Sequence, residues 1–241
     1  MKYVNFVMQG KGGAGKSFIS MCLAEYYLQE ERNLVAIDTD PVNPTLSTYK
    51  ALNCNVIKMM DNAEIDHRSF DAIVEGIIES ADETHFVIDT GATTFLPLVK
   101  YLAENDVLDL LHEHECEIAI HSVVSGGGAI DATLSCVEKL FEVFPKQKIV
   151  IWKNEYSGRA EKNGRPFEEM EIYKSNIDRI YAVPTLEQRT GSSFNHDIQT
   201  MIERRKTFSE AILDENFGLM ARQRLKKVWS DVSSQLETMA L

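Results

Sequence analysis

The stretch Gly10-Lys11-Gly12-Gly13-Ala14-Gly15-Lys16-Ser17 decides the fold of this chain. It follows an apolar run of strand type, residues 3–8, and opens an amphipathic segment of helical type, residues 16–31. A strand, a glycine-rich turn and a helix form the setting in which the pattern Gly-x-x-x-x-Gly-Lys-[Ser/Thr] makes a phosphate-binding loop. Glycines let successive backbone N–H groups turn inward around a phosphate, and the helix start adds the positive end of its dipole. The alternative is a glycine-rich turn without a ligand.

Apolar runs of strand length recur through the rest of the chain, at residues 34–37, 85–88, 118–124, 149–152 and 179–183. Segments of helical length lie between them, at residues 70–81, 95–112 and 129–144. This alternation is typical of a parallel sheet covered by helices on both faces. The sequence therefore predicts the α/β class, a three-layer P-loop NTPase fold with a mostly parallel sheet flanked by helices. No repeat, low-complexity tract or Pro/Ser-rich linker divides the chain, so residues 1–241 are expected to form a single P-loop ATPase domain.

The last part of the chain, residues 195–241, has the pattern of a helical tail with a break at Gly218. Apolar residues recur there at spacings of three and four and so share one helix face: Leu225, Val228, Trp229, Val232, Leu236 and Met239. We expect this helix to pack on the domain. The alternative is a dimer or membrane contact, because four cations crowd its first turns: Arg222, Arg224, Lys226 and Lys227. Residues 155–169 read as an exposed loop.

The charge and cysteine content narrow the class of protein. The chain has 37 acidic and 25 basic residues and a formal net charge of -12, which disfavours a protein whose whole surface grips DNA or anionic lipid. The basic run within residues 203–206 could form a local contact with DNA, and the alternative is a solvated helix face. The four cysteines form no CxxC pair and are expected to be reduced thiols. With no signal peptide and no run of about 18 apolar residues, the expected location is cytoplasmic, or peripheral to the inner membrane through a partner.

Acidic residues at strand ends predict a magnesium site and a water-positioning group. Asp89 closes one apolar run and is the predicted Walker B residue, a ligand of Mg²⁺. The Ser17 hydroxyl is the second predicted metal ligand, and Lys16 is expected to lie along the β- and γ-phosphates. Asp38 and Asp40 are two residues apart at another strand end, so they lie on the same side of an extended chain. We assign the attacking water to Asp40, and support of the loop and metal shell to Asp38. The alternative is an exposed acidic turn.

Asn154 is the predicted base-reading residue, because it follows a strand at the edge where an open α/β sheet receives its ligand. Its amide offers a donor and an acceptor to adenine, and the guanine pattern Asn-Lys-x-Asp is absent, so ATP is favoured over GTP. The turn of residues 183–186, Val-Pro-Thr-Leu, which includes Pro184, is expected to form the remaining wall around the base. A loop asparagine that bonds its own backbone is the alternative. The nucleotide contacts expected within the loop are Gly10, Gly12, Gly13, Ala14, Gly15, Lys16, Ser17 and Phe18.

Two further patterns are not assigned a function. His112, His114, Cys116 and His121 are residue types that can bind zinc, but the first three span a helix end and a strand start, and no second cluster completes four ligands. Residues 125–128, Ser-Gly-Gly-Gly, lack a following Lys-Ser/Thr and are expected to form a flexible strand-to-helix loop.

With these residues in place, the chain resembles the deviant Walker A ATPases of the ParA/MinD group. Residues 11–17 match the group's K-G-G-x-G-K-[S/T], and residues 38–41 match its D-x-D-P switch I. Residues 89–91 resemble its switch II, usually D-x-P, but Gly91 replaces the proline, which leaves the flexibility of that segment open. The resemblance implies a homodimer that forms on ATP binding, with Lys11 of one subunit reaching the phosphates bound by the other.

A narrower resemblance is to TraL-type nucleotide-binding proteins encoded with plasmid conjugation systems. It rests on residues 7–13, on residues 152–156 and on the chain length. It implies an accessory ATPase of conjugative transfer or positioning, stimulated by an unidentified protein of a conjugation or secretion complex. The alternatives are an ATP-coupled metabolic or metallocluster-handling enzyme, or a nucleotide-bound scaffold without useful hydrolysis. The metallocluster alternative calls for a CxxC pair or a lone cysteine beside switch II, and the sequence pattern suggests neither.

Overall fold

The computed structural model describes residues 1–57, 60–61, 64–65, 67–189 and 191–239. Its strands are β1 (Lys2–Val7), β2 (Asn33–Asp38), β3 (Asn55–Val56), β4 (Met60–Asp61), β5 (Glu64–Ile65), β6 (Thr84–Asp89), β7 (Cys116–Ser125), β8 (Ile149–Asn154), β9 (Glu161–Lys162), β10 (Arg165–Pro166), β11 (Ile180–Ala182) and β12 (Thr185–Leu186). Its helices are α1 (Lys16–Gln29), α2 (His67–Glu79), α3 (Phe95–Glu104), α4 (Val107–Glu113), α5 (Ile130–Val143), α6 (Glu171–Lys174), α7 (Ser192–Glu203), α8 (Phe208–Leu213) and α9 (Leu219–Met239).

The main sheet has the order β11-β8-β7-β1-β6-β2-β3, with β12 also paired to β8, and its pairs are parallel. Successive side chains of β1 point to opposite faces, so Phe6 and Val7 enter different cores. One core packs α2 to α5 on the sheet, and the other packs α1 and α7 to α9. Three layers and a parallel sheet confirm the predicted α/β fold class.

The predicted helix over residues 95–112 is wrong in one respect, because the structure divides it into α3 and α4. Asn105 ends the first helix, and Asp106 then adopts a left-handed conformation with φ 48°. Asp tolerates this region better than most residues. The apolar periodicity continues across the break, which is why the sequence pattern did not reveal it.

The segment 155–169 also differs from the predicted exposed loop. It contains the β9–β10 hairpin, whose turn residues Asn163 and Gly164 both have positive φ angles, as a two-residue hairpin turn requires. Phe167 is 0 % exposed and packs in the core beside α5. The hairpin is therefore a folded element fixed at its base by a buried aromatic ring.

The C-terminal tail consists of α7, α8 and α9, and α9 begins directly after Gly218. All six residues of the predicted apolar face, from Leu225 to Met239, are buried against the domain. The alternative of a dimer or membrane contact through that face is wrong, because the chain itself covers it. Residues 240 and 241 lie outside the described residues, and among those described no helix is both long and apolar enough to cross a membrane.

Candidate functional site

The glycine-rich loop connects the end of β1 to the start of α1, as the sequence predicts. Gly13 and Gly15 have φ angles of 75° and 105°, a region that side chains other than glycine rarely adopt. Gly15 is the N-cap of α1, so the first N–H groups of a 14-residue helix face the loop. A Cβ atom on Gly15 would lie 2.6 Å from Asn154 Nδ2. Glycine at this position therefore lets the loop approach the end of β8 closely.

Gln9 fixes the first turn of the loop, a role that the sequence analysis missed. Its side chain is fully buried, and Nε2 donates to the carbonyl oxygens of Val123, at 2.6 Å, and Thr133, at 3.2 Å. Its Oε1 atom accepts the Lys11 N–H at 3.2 Å. The Lys11 side chain is exposed, so this turn holds the backbone and leaves the cation outside.

Lys16 lies inside the site with only 7 % of its surface exposed. Burial lowers the pKa of its ammonium group, and the charges of Asp89 and Asp40 oppose that shift. A buried cation at a helix N-terminus is suited to a phosphate, which would supply the missing negative charge. The two carboxylates are close enough to act on the same ammonium group.

Asp89, at the end of β6, is buried beneath the loop and receives two hydroxyl hydrogen bonds. Ser20 Oγ donates to Asp89 Oδ1 at 2.9 Å, and the Ser17 hydroxyl also donates to this carboxylate. Burial raises the pKa of Asp89 to about 7, an effect that Asp38 reinforces and that Ser17, Ser20 and Lys16 oppose. These hard oxygen donors fit Mg²⁺, whose charge would favour the ionised carboxylate. Ser20 lies one turn beyond Ser17 on α1, and that spacing could have revealed it.

Asp38 and Asp40 lie at the end of β2 and organise the loop that follows. Asp38 is fully buried; its Oδ1 accepts the Asp40 N–H at 3.1 Å, and its Oδ2 accepts the Ser47 N–H at 3.0 Å. Asp40 Oδ1 accepts the N–H groups of Val42 and Asn43 at 2.9 and 3.0 Å. Burial raises the pKa of Asp38. The carboxylate of Asp38 thus supports the loop, and that of Asp40 accepts its two backbone hydrogen bonds through Oδ1.

Gly91 brings the end of β6 against Asp40. A Cβ atom at this position would lie 3.0 Å from Asp40 Cγ and 3.2 Å from Asp40 Cα. The segment is held by side chains on both sides, since Thr90 Oγ1 donates to Val7 O at 2.8 Å and Thr94 Oγ1 donates to Gly91 O at 3.0 Å. Glycine here permits a close contact between the two switch segments.

Asn154 ends β8 and faces the loop. Its Nδ2 donates to Ala14 O at 2.9 Å, and its Oδ1 accepts the Tyr156 N–H at 3.1 Å. The bond to Tyr156 is the local backbone contact expected of a loop asparagine, but the bond to Ala14 ties this amide to the phosphate loop as well. The Nδ2 atom has a second N–H to donate and the Oδ1 atom has a second lone pair to accept a bond from a ligand.

A cleft of about 190 Å³ begins at the loop and runs beside Asn154 toward the C-terminal helices. Phe18, Ile198 and Val232 are among its apolar walls, whereas Arg189 and Asp231 are among its polar groups. Pro184 is not a lining residue, because it is buried and its carbonyl accepts the Lys153 N–H at 2.8 Å. Two other residues of the predicted turn, Thr185 and Leu186, do line the cleft, and Glu187 continues that wall.

A groove of about 700 Å³ lies on the other side of the loop, beside Lys11. Its lining includes Ala92 and Phe95, which follow switch II, and the thiol of Cys136 on α5. The Cys136 sulfur accepts the backbone N–H groups of Gly10 and Lys11, and burial raises the pKa of the thiol. The inference that no lone cysteine lies beside switch II is therefore wrong. Cys136 and residues 92–95 are far apart in sequence, so only the fold brings them together.

The remaining patterns have structural partners. His121 is buried, accepts the Trp152 Nε1–H at Nδ1 over 3.0 Å, and lies with Nε2 3.0 Å from Asn5 Oδ1. His112 Nδ1 lies 3.1 Å from Cys116 O. In the part of the chain that the structure describes, no group of three His, Cys, Asp or Glu residues is arranged to hold a metal ion.

Gly126 meets the backbone of residues 158–159 so closely that a Cβ atom would lie 1.9 Å from Gly158 O. Its role is close packing.

Comparisons with known proteins show which family this chain is similar to. Residues 6–235 match the family described as the CobQ/CobB/MinD/ParA nucleotide binding domain. Two Escherichia coli proteins, each named Protein TraL, are 40 % identical to this chain over 245 and 242 residues, covering 100 % of both chains in each case.

Solved structures show the same fold at low sequence identity. The MinD cell division protein of Aquifex aeolicus aligns with a TM-score of 0.56 at 16 % identity, over 98 % of this chain and 97 % of that one. A Borrelia burgdorferi B31 protein described as a plasmid partition protein, bound to AMPPNP, aligns with a TM-score of 0.52 at 13 % identity, over 99 % of both chains.

Proposed function

The chain belongs to the CobQ/CobB/MinD/ParA nucleotide-binding family, and from that premise we propose that it is a Mg·ATP-binding, slowly hydrolysing switch ATPase that works as a dimer. The observation that carries the proposal is the buried ammonium group of Lys16, which lies at the start of α1 under the influence of Asp89 and Asp40. A cation so buried needs a polyanionic ligand to balance it. The triphosphate of ATP fits this requirement.

The phosphate and metal roles follow from the groups around the loop. The N–H groups of residues 10–17 surround the phosphates, and Lys16 lies along the β- and γ-phosphates. Ser17 and Asp89 would hold Mg²⁺, and Asp38 would support the metal shell while its carboxylate orders the loop that contains Asp40. A metal ion held there would supply charge neutralisation at the phosphates.

Hydrolysis requires a positioned water and a second cation. Asp40 has a carboxylate oxygen available for the water, and its charge acts on Lys16, so it lies close to the expected γ-phosphate position. The exposed Lys11 is the second cation, supplied to the partner subunit's nucleotide. Such a cation offsets charge that develops on the phosphoryl group, so turnover depends on dimer formation.

The base site supports ATP over GTP. Asn154 lies at the mouth of the cleft and has amide hydrogen-bonding capacity left for adenine. Phe18 and the 185–187 wall enclose the space where a flat base fits.

The biological process is proposed from the relatives. Full-length similarity to two proteins named Protein TraL, together with the motif resemblance, supports an accessory role in plasmid conjugative transfer or positioning. The stimulating partner is proposed to be a protein of a conjugation or secretion complex, which would keep the ATPase in the cytoplasm or bring it to the inner membrane.

Cys136 supports a second candidate function, a metallocluster-handling or ATP-coupled metabolic enzyme. If the groove faces a second copy, the thiol of Cys136 lies at that interface. Burial raises the pKa of this thiol, which works against the thiolate that a metal requires. Metal that copurifies with the wild type under anaerobic conditions and is lost in Cys136→Ser would favour this candidate.

Nucleotide binding by the Lys16→Ala variant tests the proposed site. We expect calorimetry to detect Mg·ATP binding to the wild type and none to the variant, because the variant loses the buried cation. Lys226→Ala, which removes an exposed lysine on α9, is the matched control and should bind as the wild type does. Undiminished ATP binding by Lys16→Ala would overturn the site assignment. A wild type that binds ATP but shows no turnover would favour the scaffold alternative.

A further inference from the structure

The wall of the base cleft is a short edge strand, which has no strand on its outer side among the residues that the structure describes. β12 pairs with β8 through Pro184 O, which accepts the Lys153 N–H at 2.8 Å, and Leu186 O, which accepts the Glu155 N–H at 3.0 Å. The N–H and carbonyl groups of Thr185 point the other way, toward α9. Two residues of strand are marginal alone, so the wall needs support on that side.

The side chain of Gln235 on α9 supplies that support. Its Oε1 accepts the Thr185 N–H at 2.7 Å, and its Nε2 donates to Thr185 O at 3.1 Å. One amide group therefore satisfies both backbone groups of Thr185, as a neighbouring strand would. Its Nε2 also donates to Asp231 O at 3.0 Å, which fixes the side chain on its own helix.

An ion pair holds the far end of the same wall. Arg189 contacts the Asp231 carboxylate at 2.5 Å, and only 14 % of its side chain is exposed. Its guanidinium group also lies 5.9 Å from the ring centroid of Phe194, near the start of α7. Asp231 and Gln235 are four residues apart on α9 and thus lie on one face.

The same face of α9 also lines the cleft directly. Val228, Asp231 and Val232 are cleft residues, at spacings of three and four, and Gln235 continues this strip by one turn. The helix is rigidly placed, because Trp229 packs on Phe208 and its Nε1–H donates to Gln29 Oε1 at 2.9 Å. α9 therefore connects the core directly to the wall beside Asn154.

We propose that α9 is part of the site for the nucleotide base. Gln235 and Asp231 are positioning residues that hold the 185–187 wall and the adjoining Arg189 beside the base. This inference rests on the proposed function and deepens it. Without these contacts the wall would have to become ordered when the ligand binds. The entropy cost of that ordering would weaken binding of the base and leave the phosphate contacts unchanged. By linkage, a bound base must in turn stabilise the docking of α9.

The test compares ADP with tripolyphosphate, which has no base, by calorimetry on the full chain. In Gln235→Ala we expect affinity for ADP to fall about tenfold, while affinity for tripolyphosphate stays within about twofold of the wild type. Asp231→Asn, which keeps the side-chain size, should change ADP affinity in the same direction. Gln223→Ala is the matched control, since Gln223 is exposed on the same helix.

Hydrogen exchange provides a second readout. ADP should slow exchange of the Thr185 amide and of α9 in the wild type, and Gln235→Ala should speed exchange of the Thr185 amide. Wild-type ADP affinity in both variants, or an equal loss of ADP and tripolyphosphate, would overturn the inference and leave the proposed function intact. A wild type that binds neither ligand would instead overturn the proposed function.

Discussion

At the scale of single residues, the site depends on side chains that hold other groups in place. Gln9 holds the Lys11 backbone, Ser20 holds Asp89, and Asp38 holds the loop that contains Asp40. The phosphate loop, residues 10–17, could be predicted from the sequence because its pattern fixes the spacing of its glycines, Lys16 and Ser17. Gln9 could not, since its partners lie 114 and 124 residues away in the chain.

Gly91 gives a prediction at this scale. Its φ angle lies outside the left-handed region, and the three atoms nearest to a Cβ atom there all belong to Asp40. Asp40 is fixed by the N–H groups of Val42 and Asn43 and cannot withdraw without loss of those bonds. We expect Gly91→Val to lower ATP turnover about tenfold at saturating ATP and to leave ATP affinity unchanged, because small misplacements of a catalytic group are costly.

The measurement is steady-state phosphate release with a parallel binding titration. Gly128→Ala is the control, because a Cβ atom there would meet nothing within 4 Å. Wild-type turnover in Gly91→Val would show that the contact between the switches does not position Asp40.

At the scale of elements, strands could be predicted more closely than helices. Six strands of the main sheet appear as apolar runs whose ends differ from the structure by no more than two residues, because burial requires apolar side chains. The two-residue strands β3 and β12 were not predicted, since so short a strand leaves no apolar run. The break between α3 and α4 could not be predicted, because it depends on the backbone of one residue, Asp106. The support that α9 gives to β12 was also missed, since a side-chain amide that replaces a strand leaves no pattern in the sequence.

The buried polar network across β1, β7 and β8 gives a pH prediction. Burial lowers the pKa of His121 from its ordinary value of 6.5 to about 3. Between pH 3 and pH 6.5, His121 therefore binds a proton in the unfolded chain but not in the folded chain. The contribution of neutral His121 to the free energy of unfolding is complete above pH 6.5, and it is lost as the pH falls toward 3, by about 1.4 kcal/mol per pH unit.

Urea unfolding of the wild type and of His121→Gln at several pH values checks this expectation. Glutamine is neutral throughout and keeps a donor and an acceptor for Asn5 and Trp152. The wild type should lose about 2 kcal/mol relative to the variant between pH 6.5 and pH 5. Parallel pH dependences in the two proteins would contradict the buried neutral histidine.

At the scale of the whole molecule, the proposed nucleotide site lies at the carboxyl edge of a parallel sheet, between two cores. The groove with Lys11 and Cys136 opens on one side of the loop, and the base cleft opens on the other. The net charge of -12 argues against binding of DNA over the whole surface. This arrangement agrees with a switch whose output is its assembly state.

ATP is proposed to assemble two copies of the chain through Lys11, and the molar mass of the Asp40→Ala variant in Mg·ATP tests this proposal. Light scattering should give twice the monomer mass in ATP and the monomer mass in ADP, because loss of the water-positioning carboxylate traps the ATP state. Adding Lys11→Ala should restore the monomer while ATP still binds, and Lys226→Ala should not. A monomer in ATP for Asp40→Ala, or an unchanged ATP dimer after Lys11→Ala, would contradict the account.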